Sequence, residues 1–547
     1  MTAEKDDLGQ FEDKRLTRVE EEQLGNLAHE EEHEESKLEA LRRHPRACAW
    51  CMYALVVVVL TAFESSASGS ILGIPEFRKD FGYAVVSGGK TQYTLSANWQ
   101  SAFLGGPVAA STIGTILVGP LADRFGRRPI VMINLALTFG AISMEFVAET
   151  PALFFGGRFL SGLTIGFLTS IMMTYISDIA PMPLRGLFTC LVALTYTLAG
   201  FIASIILKFT GSYNNRWAYR AIFCSQYGFA VICSLFVWFM PESPWWLVSK
   251  GRRSQALINL SKLGYAPDVA HRRLAYMEST LEKVRAETEA STYLECLRKS
   301  NRRRTIISLA PASIQLLAGV SFSFSYFTYY AQLAGYSTPE AFRLYVGLRV
   351  LAVAGNVISW FLIDRVGRRR LVLWGLFAMT VVLMLIGALA VVGEHGNTTA
   401  LKGTVALMMV YGFCYQVSYA PTLYTILAEV PTSRLRLKTI SIGLTVEGAL
   451  SLTLAFVLPR LFNVDKANLG GKIAFIFGGL GVISLVYLWF ALPETAGRTF
   501  QELDEMFMKG IPTRKFAGYV CDSKSTGAAT EPKGLEDTTK ETKTVQI

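Results

Sequence analysis

An acidic residue lies inside a long apolar run near the start of the chain. Glu64 interrupts the segment ALVVVVLTAFESSASGSILGI, which is long enough to lie within a bilayer. A carboxylate there is costly unless it is protonated, paired with a cation or facing a wet cavity. Burial raises the pKa of such a carboxyl group, whereas a nearby cation lowers it. A conformational change that alters either influence could therefore load and release a proton. The alternative is a structural ion pair that never titrates.

A basic turn headed by an aspartate occurs twice, as GPLADRFGRRPIV from Gly119 and as FLIDRVGRRRLVL from Phe361. In each copy the carboxylate is within reach of guanidinium groups below two helix ends, and such ion pairs can latch a closed cytoplasmic side. The alternative is that the charges only fix topology, although carboxylates contribute little to topology. The predicted gate consists of Asp123, Arg127, Arg128, Arg185, Glu242, Asp364, Arg368, Arg369, Glu429, Arg434, Glu494 and Arg498.

Other motifs recur with nearly the same offset. PESPWWL at Pro241 is repeated as PETAGRTF at Pro493, and SDIAPMPLRG around Asp178 is echoed by AEVPTSRLRLK around Glu429. A constant offset implies two homologous halves, and internal symmetry of this kind marks many secondary transporters. The repeats therefore indicate a membrane carrier.

The composition also indicates a membrane protein. The chain has 547 residues, 51% of them hydrophobic, and a mean hydropathy of +0.34, which one soluble core cannot accommodate. We expect an all-α membrane protein with twelve transmembrane helices in two pseudo-symmetric six-helix bundles. The predicted spans are centred near residues 58, 106, 138, 164, 198, 230, 320, 352, 382, 412, 448 and 482.

The chain is expected to have five parts. They are an acidic cytoplasmic tail (1–46), an N-terminal six-helix bundle (47–241), a cytoplasmic linker of interfacial helices (242–306), a C-terminal six-helix bundle (307–493) and a cytoplasmic C-terminal tail (494–547). The arginines of the repeated turns fall on one predicted side, which places both termini in the cytoplasm.

Some functions are disfavoured by the sequence. The net charge of +10 comes from cations that flank spans and do not form a basic groove, so we expect no nucleic-acid partner. The CxxC of Cys48 and Cys51 lacks a second pair, and we expect no metal and no cofactor. No nucleophile has a base at useful spacing, so we expect no enzyme activity.

The sequon at Asn397 falls in an outer loop and predicts glycosylation.

The ordered set of motifs resembles the sugar porter family of the major facilitator superfamily. GRR turns follow the second and eighth spans, PESPWWL follows the sixth and PETAGRTFQELDEMF the twelfth, and the likeness covers about 47–507. SILGIPEFRKDFG, RWAYR and AEVPTSRLRLKT are most similar to fungal α-glucoside (maltose-type) permeases. The resemblance implies two bundles that rock about a central site, with proton symport. It also implies coupling by Glu64, at a position where the family carries Asp, and by Arg158.

Substrate recognition follows the family pattern less closely. Amide and aromatic side chains usually hold sugars. The family's glutamine pair survives only as Gln315, because the second position is Leu316, and the amide position of the fifth span holds Ala193. The candidate substrate-binding residues are Gln315, Ser321, Tyr329, Gln416 and Tyr424.

Three hypotheses about function remain at this point. The first is a plasma-membrane transporter, expected to be a monomer, that moves a hexose or α-glucoside together with a proton. The second is a transporter of a glycosylated or hydrophobic metabolite, and the third is a non-transporting sugar sensor. Glu447 has no counterpart in the family pattern and could be a second proton site, a substrate contact or the partner of a cation.

Overall fold

The described part of the chain folds mainly into long helices in a computed structural model. The structure describes residues 37–87, 90–289, 293–394, 397–431, 435–462, 467–496, 498 and 500–519. Within a bilayer a helix satisfies its own backbone hydrogen bonds, so apolar runs of this length become helices. Eleven of the described helices are long and apolar enough to cross a membrane. The predicted all-helical membrane fold is confirmed.

The first half contains five long helices after the initial span. The elements to the end of this half are α1 (Lys37–Arg43), α2 (Pro45–Ser70), α3 (Pro75–Phe81), β1 (Tyr83–Ser87), β2 (Lys90–Thr94), α4 (Ala97–Phe125), α5 (Arg127–Val147), α6 (Pro151–Ile179), α7 (Met182–Thr210) and α8 (Trp217–Val237). A single 3-10 turn, Ile71–Gly73, extends α2.

Three helices lie between the last span of the first half and the first span of the second half. The elements are α9 (Pro244–Ser249), α10 (Arg253–Lys262), α11 (Pro267–Glu289), α12 (Lys299–Leu317), α13 (Val320–Ser325), α14 (Phe327–Leu333), α15 (Thr338–Val366), α16 (Arg368–Glu394), α17 (Thr398–Cys414), α18 (Ala420–Glu429), α19 (Arg436–Phe462), α20 (Ile473–Ala491) and α21 (Phe500–Met508). Short 3-10 turns cover Tyr293–Leu297, Gly470–Lys472 and Thr513–Gly518.

The span predicted near residue 412 is not a single α-helix. It consists of α17, a π-helical segment Tyr415–Tyr419 and α18, which follow one another without a gap. Pro421 lies in the first turn of α18 and cannot donate a backbone hydrogen bond, so the preceding turn widens.

The span predicted near residue 320 is broken twice, which the sequence analysis did not foresee. Gly319 separates α12 from α13 with a φ of +84°, a left-handed conformation that favours glycine. Tyr326 then separates α13 from α14. Broken helices are tolerated at membrane depth where they are buried in protein or line a cavity.

Small residues allow the helices of the first half to approach closely. Gly162 and Gly166 of α6 lie against the backbone of Pro107 and Ser111 of α4, where any side chain would collide.

The antiparallel hairpin of β1 and β2, which pairs Tyr83 with Thr94, is a small departure from the expected all-α fold.

Candidate functional site

A cavity of about 1080 Å³ lies between the two halves. Its wall is built by α2, α4, α6 and α7 from the first half and by α13 and α19 from the second. The volume is at the upper end of the range for small-molecule sites. Among the side chains that line it are Ser68, Arg158, Tyr196, Ser321, Tyr326 and Glu447.

The predicted coupling pair is brought together at this wall. The guanidinium of Arg158 forms an ion pair with Glu64 and donates to the hydroxyl of Ser68. The other carboxylate oxygen of Glu64 accepts a hydrogen bond from Gln226 of α8. Arg158 is only 2% exposed, yet it reaches the cavity. A buried charge pair thus adjoins the space in which a ligand would lie.

A second carboxylate shares the same arginine. Glu145 of α5 lies 3.4 Å from Nη1 of Arg158 through its Oε1, which also accepts a hydrogen bond of 2.8 Å from Ser161. Glu145 is 0% exposed, and its Oε2 has no hydrogen-bond partner among the described residues. One guanidinium between two carboxylates leaves one formal negative charge, which a proton can neutralise.

Gln315 does not itself line the cavity, and two neighbours hold its side chain. Its Nε2 donates to Oε1 of Glu447 at 2.6 Å, and the hydroxyl of Tyr415 donates to its Oε1 at 2.8 Å. Tyr415 belongs to the π-helical segment, so the break in the tenth span positions this side chain. The amide predicted to bind substrate is therefore already engaged, and Glu447 contacts the cavity.

The cavity wall is rich in hydroxyl groups that act as acceptors. Ser65, Ser68, Thr112, Thr115 and Thr445 each donate to a carbonyl oxygen one turn earlier in their own helices, at distances from 2.8 to 3.1 Å. Each hydroxyl oxygen still has lone pairs that can accept a hydrogen bond. The wall is thus suited to a ligand with many donors.

The other predicted substrate residues have different surroundings. Ser321 lines the cavity. Tyr329 does not line it, because its ring packs 5.3 Å from that of Phe462 and under the guanidinium of Arg78. Gln416 packs against Gly355 of α15. The Tyr424 side chain lies outside the described residues, so its role stays a prediction.

The halves are joined at the end of the molecule where α2 meets α14. Arg78 donates to Oε1 of Gln332 at 2.6 Å, and Gln332 in turn donates to the carbonyl oxygen of Gly73 at 2.5 Å. Gly73 also lies directly against Thr328. Burial lowers the pKa of Arg78, and the nearby Tyr329 opposes this shift. We call these four residues, Gly73, Arg78, Thr328 and Gln332, the outer closure.

The cavity continues away from the outer closure. Its lining reaches Pro120, near the end of α4 at Phe125, and Ser441, near the start of α19 at Arg436. We call this end, which carries the two repeated basic turns, the basic face. The cavity therefore extends toward the basic face.

The repeated turns have the same geometry in both halves. The backbone amides of Arg127 and Arg128 donate to the two carboxylate oxygens of Glu242 at 2.9 and 3.1 Å. Those of Arg368 and Arg369 donate likewise to Glu494 at 2.9 and 3.2 Å. Each glutamate thus binds the positive N-terminal end of a helix, α5 or α16.

The gate side chains pair differently from the expectation. Arg127 lies 3.6 Å from Asp178 and Arg368 lies 3.5 Å from Glu429, so each of these pairs stays within one half. The side chain of Asp123 is exposed and forms no ion pair with Arg127 among the described residues, because Asp178 is the partner of that arginine. The latch between the halves stays a prediction.

The remaining gate residues divide into two groups. Arg498 lies 3.8 Å from Glu502 and donates to the carbonyl oxygens of Phe516 and Tyr519, and therefore fastens the segment after α20. The structure does not describe Arg434 or the side chains of Arg185 and Asp364.

Asn397 caps α17 on the side of the outer closure. It is exposed, and its Oδ1 accepts a hydrogen bond of 3.1 Å from the amide of Ala400. Glycosylation of Asn397 stays a prediction.

Comparison with known proteins agrees with this architecture. The family model for sugar (and other) transporters matches residues 50–507. The maltose permease MAL31 of Saccharomyces cerevisiae is 30% identical over 485 residues, which cover 87% of this chain and 78% of that protein. The general alpha-glucoside permease of the same species is 28% identical over 505 residues, covering 91% of this chain and 81% of that protein.

Solved structures show the same fold. The partially occluded inward open conformation of the xylose transporter XylE from E. coli matches with a TM-score of 0.67 at 17% identity, over 83% of this chain and 100% of that one. The proton:xylose symporter XylE bound to 6-bromo-6-deoxy-D-glucose matches with a TM-score of 0.64 at 20% identity, over 85% and 100% of the two chains. With its repeated turns, its cavity between the halves and these matches, the chain belongs to the family of sugar (and other) transporters, which are carriers and not enzymes, and has the major facilitator fold.

Proposed function

We propose that the protein imports an α-glucoside or a hexose together with a proton, by alternating access across the plasma membrane. The basic face is then cytoplasmic, as are both termini, and the transporter acts as a monomer. The names of the yeast relatives support the substrate class, and the name of the bacterial symporter supports the proton. The charge of the basic turns supports the orientation.

The observation that carries the proposal is the ion pair of Arg158 and Glu64 at the cavity wall. The electrostatic environment of a charge pair beside the cavity depends on whether a ligand is bound and on which side of the membrane the cavity is open. When Glu64 takes up a proton, Arg158 keeps Glu145 as its partner, so the guanidinium is never left unpaired. Proton uptake thereby changes the contacts of α2, which also carries cavity residues Ser65 and Ser68.

The cavity wall also supports a polyhydroxylated ligand. Each sugar hydroxyl can donate to one of the serine or threonine oxygens, whose own hydrogens are already used. Tyr326 also lines the cavity, and its buried hydroxyl has no hydrogen-bond partner among the described residues.

Flux into proteoliposomes tests this proposal. Radiolabelled maltose and glucose are supplied with and without an inward proton gradient, and the gradient should drive accumulation of at least one of them. Glu64→Gln should abolish accumulation but spare exchange, because the amide cannot carry the proton. Asp268→Asn, an exposed change in α11, serves as the control and should behave like the unaltered chain.

Three results would each contradict a part of the proposal. Saturable sugar flux that ignores the proton gradient would remove symport, and active accumulation by Glu64→Gln would remove the coupling role of that residue. Absence of saturable flux for any sugar would remove the sugar substrate.

A second candidate is transport of a glycosylated metabolite. It is favoured by one observation: Gln315, the surviving amide of the family pattern, is bonded to Glu447 and Tyr415. Apolar side chains such as Ile116, Ile165 and Leu444 line much of the remaining wall. A substrate screen that includes alkyl and aryl glucosides separates the two candidates, because only the second predicts a preference for an apolar aglycone.

A further inference from the structure

Glu447 is a carboxylate that faces the cavity without a cation. It lies on α19, half-buried, and lines the space between the halves. Among the described residues it forms no ion pair, and its one hydrogen bond comes from the neutral amide of Gln315. Such a group inside a membrane protein marks a functional site.

The other charged groups nearby are already engaged. Arg158, the other charged residue that lines the cavity in the described part of the chain, contacts Glu64 and Glu145. Arg349 of α15 donates to the hydroxyl of Tyr345 at 2.6 and 3.1 Å and lies over the ring of Phe324. Neither guanidinium compensates Glu447.

A hydrogen-bond donor is aimed at the carboxyl group of Glu447. Tyr415 donates to Oε1 of Gln315, and this bond turns the Nε2 group of the amide toward Glu447. A donor aimed at a carboxyl group stabilises the carboxylate. When the cavity closes around its ligand, a charge on this carboxyl group needs a positive partner, and a cation on the ligand can supply it.

We propose that the cavity takes a sugar or glycoside that carries a protonated amine, and that Glu447 binds the ammonium group. This inference rests on the proposed transport of sugars and deepens it by naming a substrate class. The ammonium has three donors and no acceptor, which matches the acceptor oxygens of the wall as well as the charge of Glu447.

Direct binding to the purified full chain tests the inference. Isothermal calorimetry compares glucosamine and 6-amino-6-deoxyglucose with glucose and N-acetylglucosamine, at a pH where both amines are protonated. At least one amine should bind roughly tenfold more tightly than glucose, whereas the neutral N-acetyl sugar should not. Glu447→Gln should remove this advantage, Glu447→Asp should keep part of it, and the control Asp268→Asn should keep all of it.

The outcomes separate this inference from the proposed function. If glucose or maltose binds but neither amine binds more tightly than glucose, the amine site is wrong and sugar transport stands. If an amine binds tightly while glucose and maltose neither bind nor move, the amine site is supported and the unmodified-sugar substrate is wrong. If the tighter binding of the amine survives Glu447→Gln, Glu447 does not bind the ammonium group. The same conclusion holds if that variant keeps the tighter binding and moves fewer protons per sugar. The comparison within the unaltered chain decides the ligand class even if a variant fails to fold.

Discussion

Arg158 contacts two carboxylates, so its removal should be more damaging than the loss of one ion pair. Arg158→Ala leaves Glu64 and Glu145 buried without their cation, and removal of one partner from a buried charge cluster costs about 3–5 kcal/mol. We expect a lower unfolding temperature and the loss of both accumulation and exchange, measured by thermal unfolding and by proteoliposome flux.

A charge-balanced variant separates stability from function. Combining Arg158→Ala with Glu64→Gln and Glu145→Gln removes the uncompensated charges and should recover most of the thermal stability, but no accumulation. If the triple variant unfolds as early as Arg158→Ala, the stability of this region does not depend on charge balance.

Sequence reasoning found part of this residue-level site. A carboxylate in an apolar run is visible in the sequence, and the resemblance supplied Arg158 as its partner. The involvement of Glu145 depends on the crossing of α5 and α6, where Gly157 lies against Glu145, and one sequence cannot show that contact. The same holds for Gln315, whose availability to a ligand is decided by Glu447 and Tyr415.

At the scale of elements, the contact between the α2 end and α14 should control access. A Cβ on Gly73 would lie 2.8 Å from Cβ of Thr328, so Gly73→Val should hold the outer closure apart. We expect Ser325→Cys, inside the cavity, to react several-fold faster with an impermeant thiol reagent from the side of the outer closure when Gly73→Val is present.

Gly228→Val is the matched control for this experiment. A Cβ at Gly228 meets no atom within 4 Å, so the control should leave the labelling of Ser325→Cys unchanged. Equal rates with and without Gly73→Val would show that this contact does not limit access.

The helix pattern was predictable from apolar runs, but the breaks were only partly so. Pro421 predicts an interruption of the tenth span, because proline lacks a backbone hydrogen-bond donor. The break at Gly319 is less visible, because glycine is common in membrane helices, and its left-handed φ and its close approach to Phe477 are visible only in the structure. The hairpin of β1 and β2 lies outside the apolar runs, where span prediction has no signal.

The basic turns also predict the orientation of the protein in the membrane. We expect the linker helix α10 on the cytoplasmic side and the α16–α17 connection outside, because the basic turns share the side of α10. In intact cells, an impermeant thiol reagent should label Thr399→Cys and should not label Ser254→Cys, after subtraction of the labelling of the unsubstituted chain. Permeabilised cells provide the control, since both positions are exposed and both should then react. Labelling of Ser254→Cys alone would invert the proposed topology.

The hydrogen bonds that hold Gln315 also affect how the ligand preference of this protein can change by mutation. One base change converts either glutamate codon into an alanine or a valine codon, and at position 447 such a change would release the Gln315 amide toward the cavity. A lineage could therefore exchange a preference for charged ligands for a preference for neutral ones in a single mutational step, with the inherited glutamine left intact. Laboratory selection on a neutral sugar as sole carbon source should then repeatedly recover changes at Glu447.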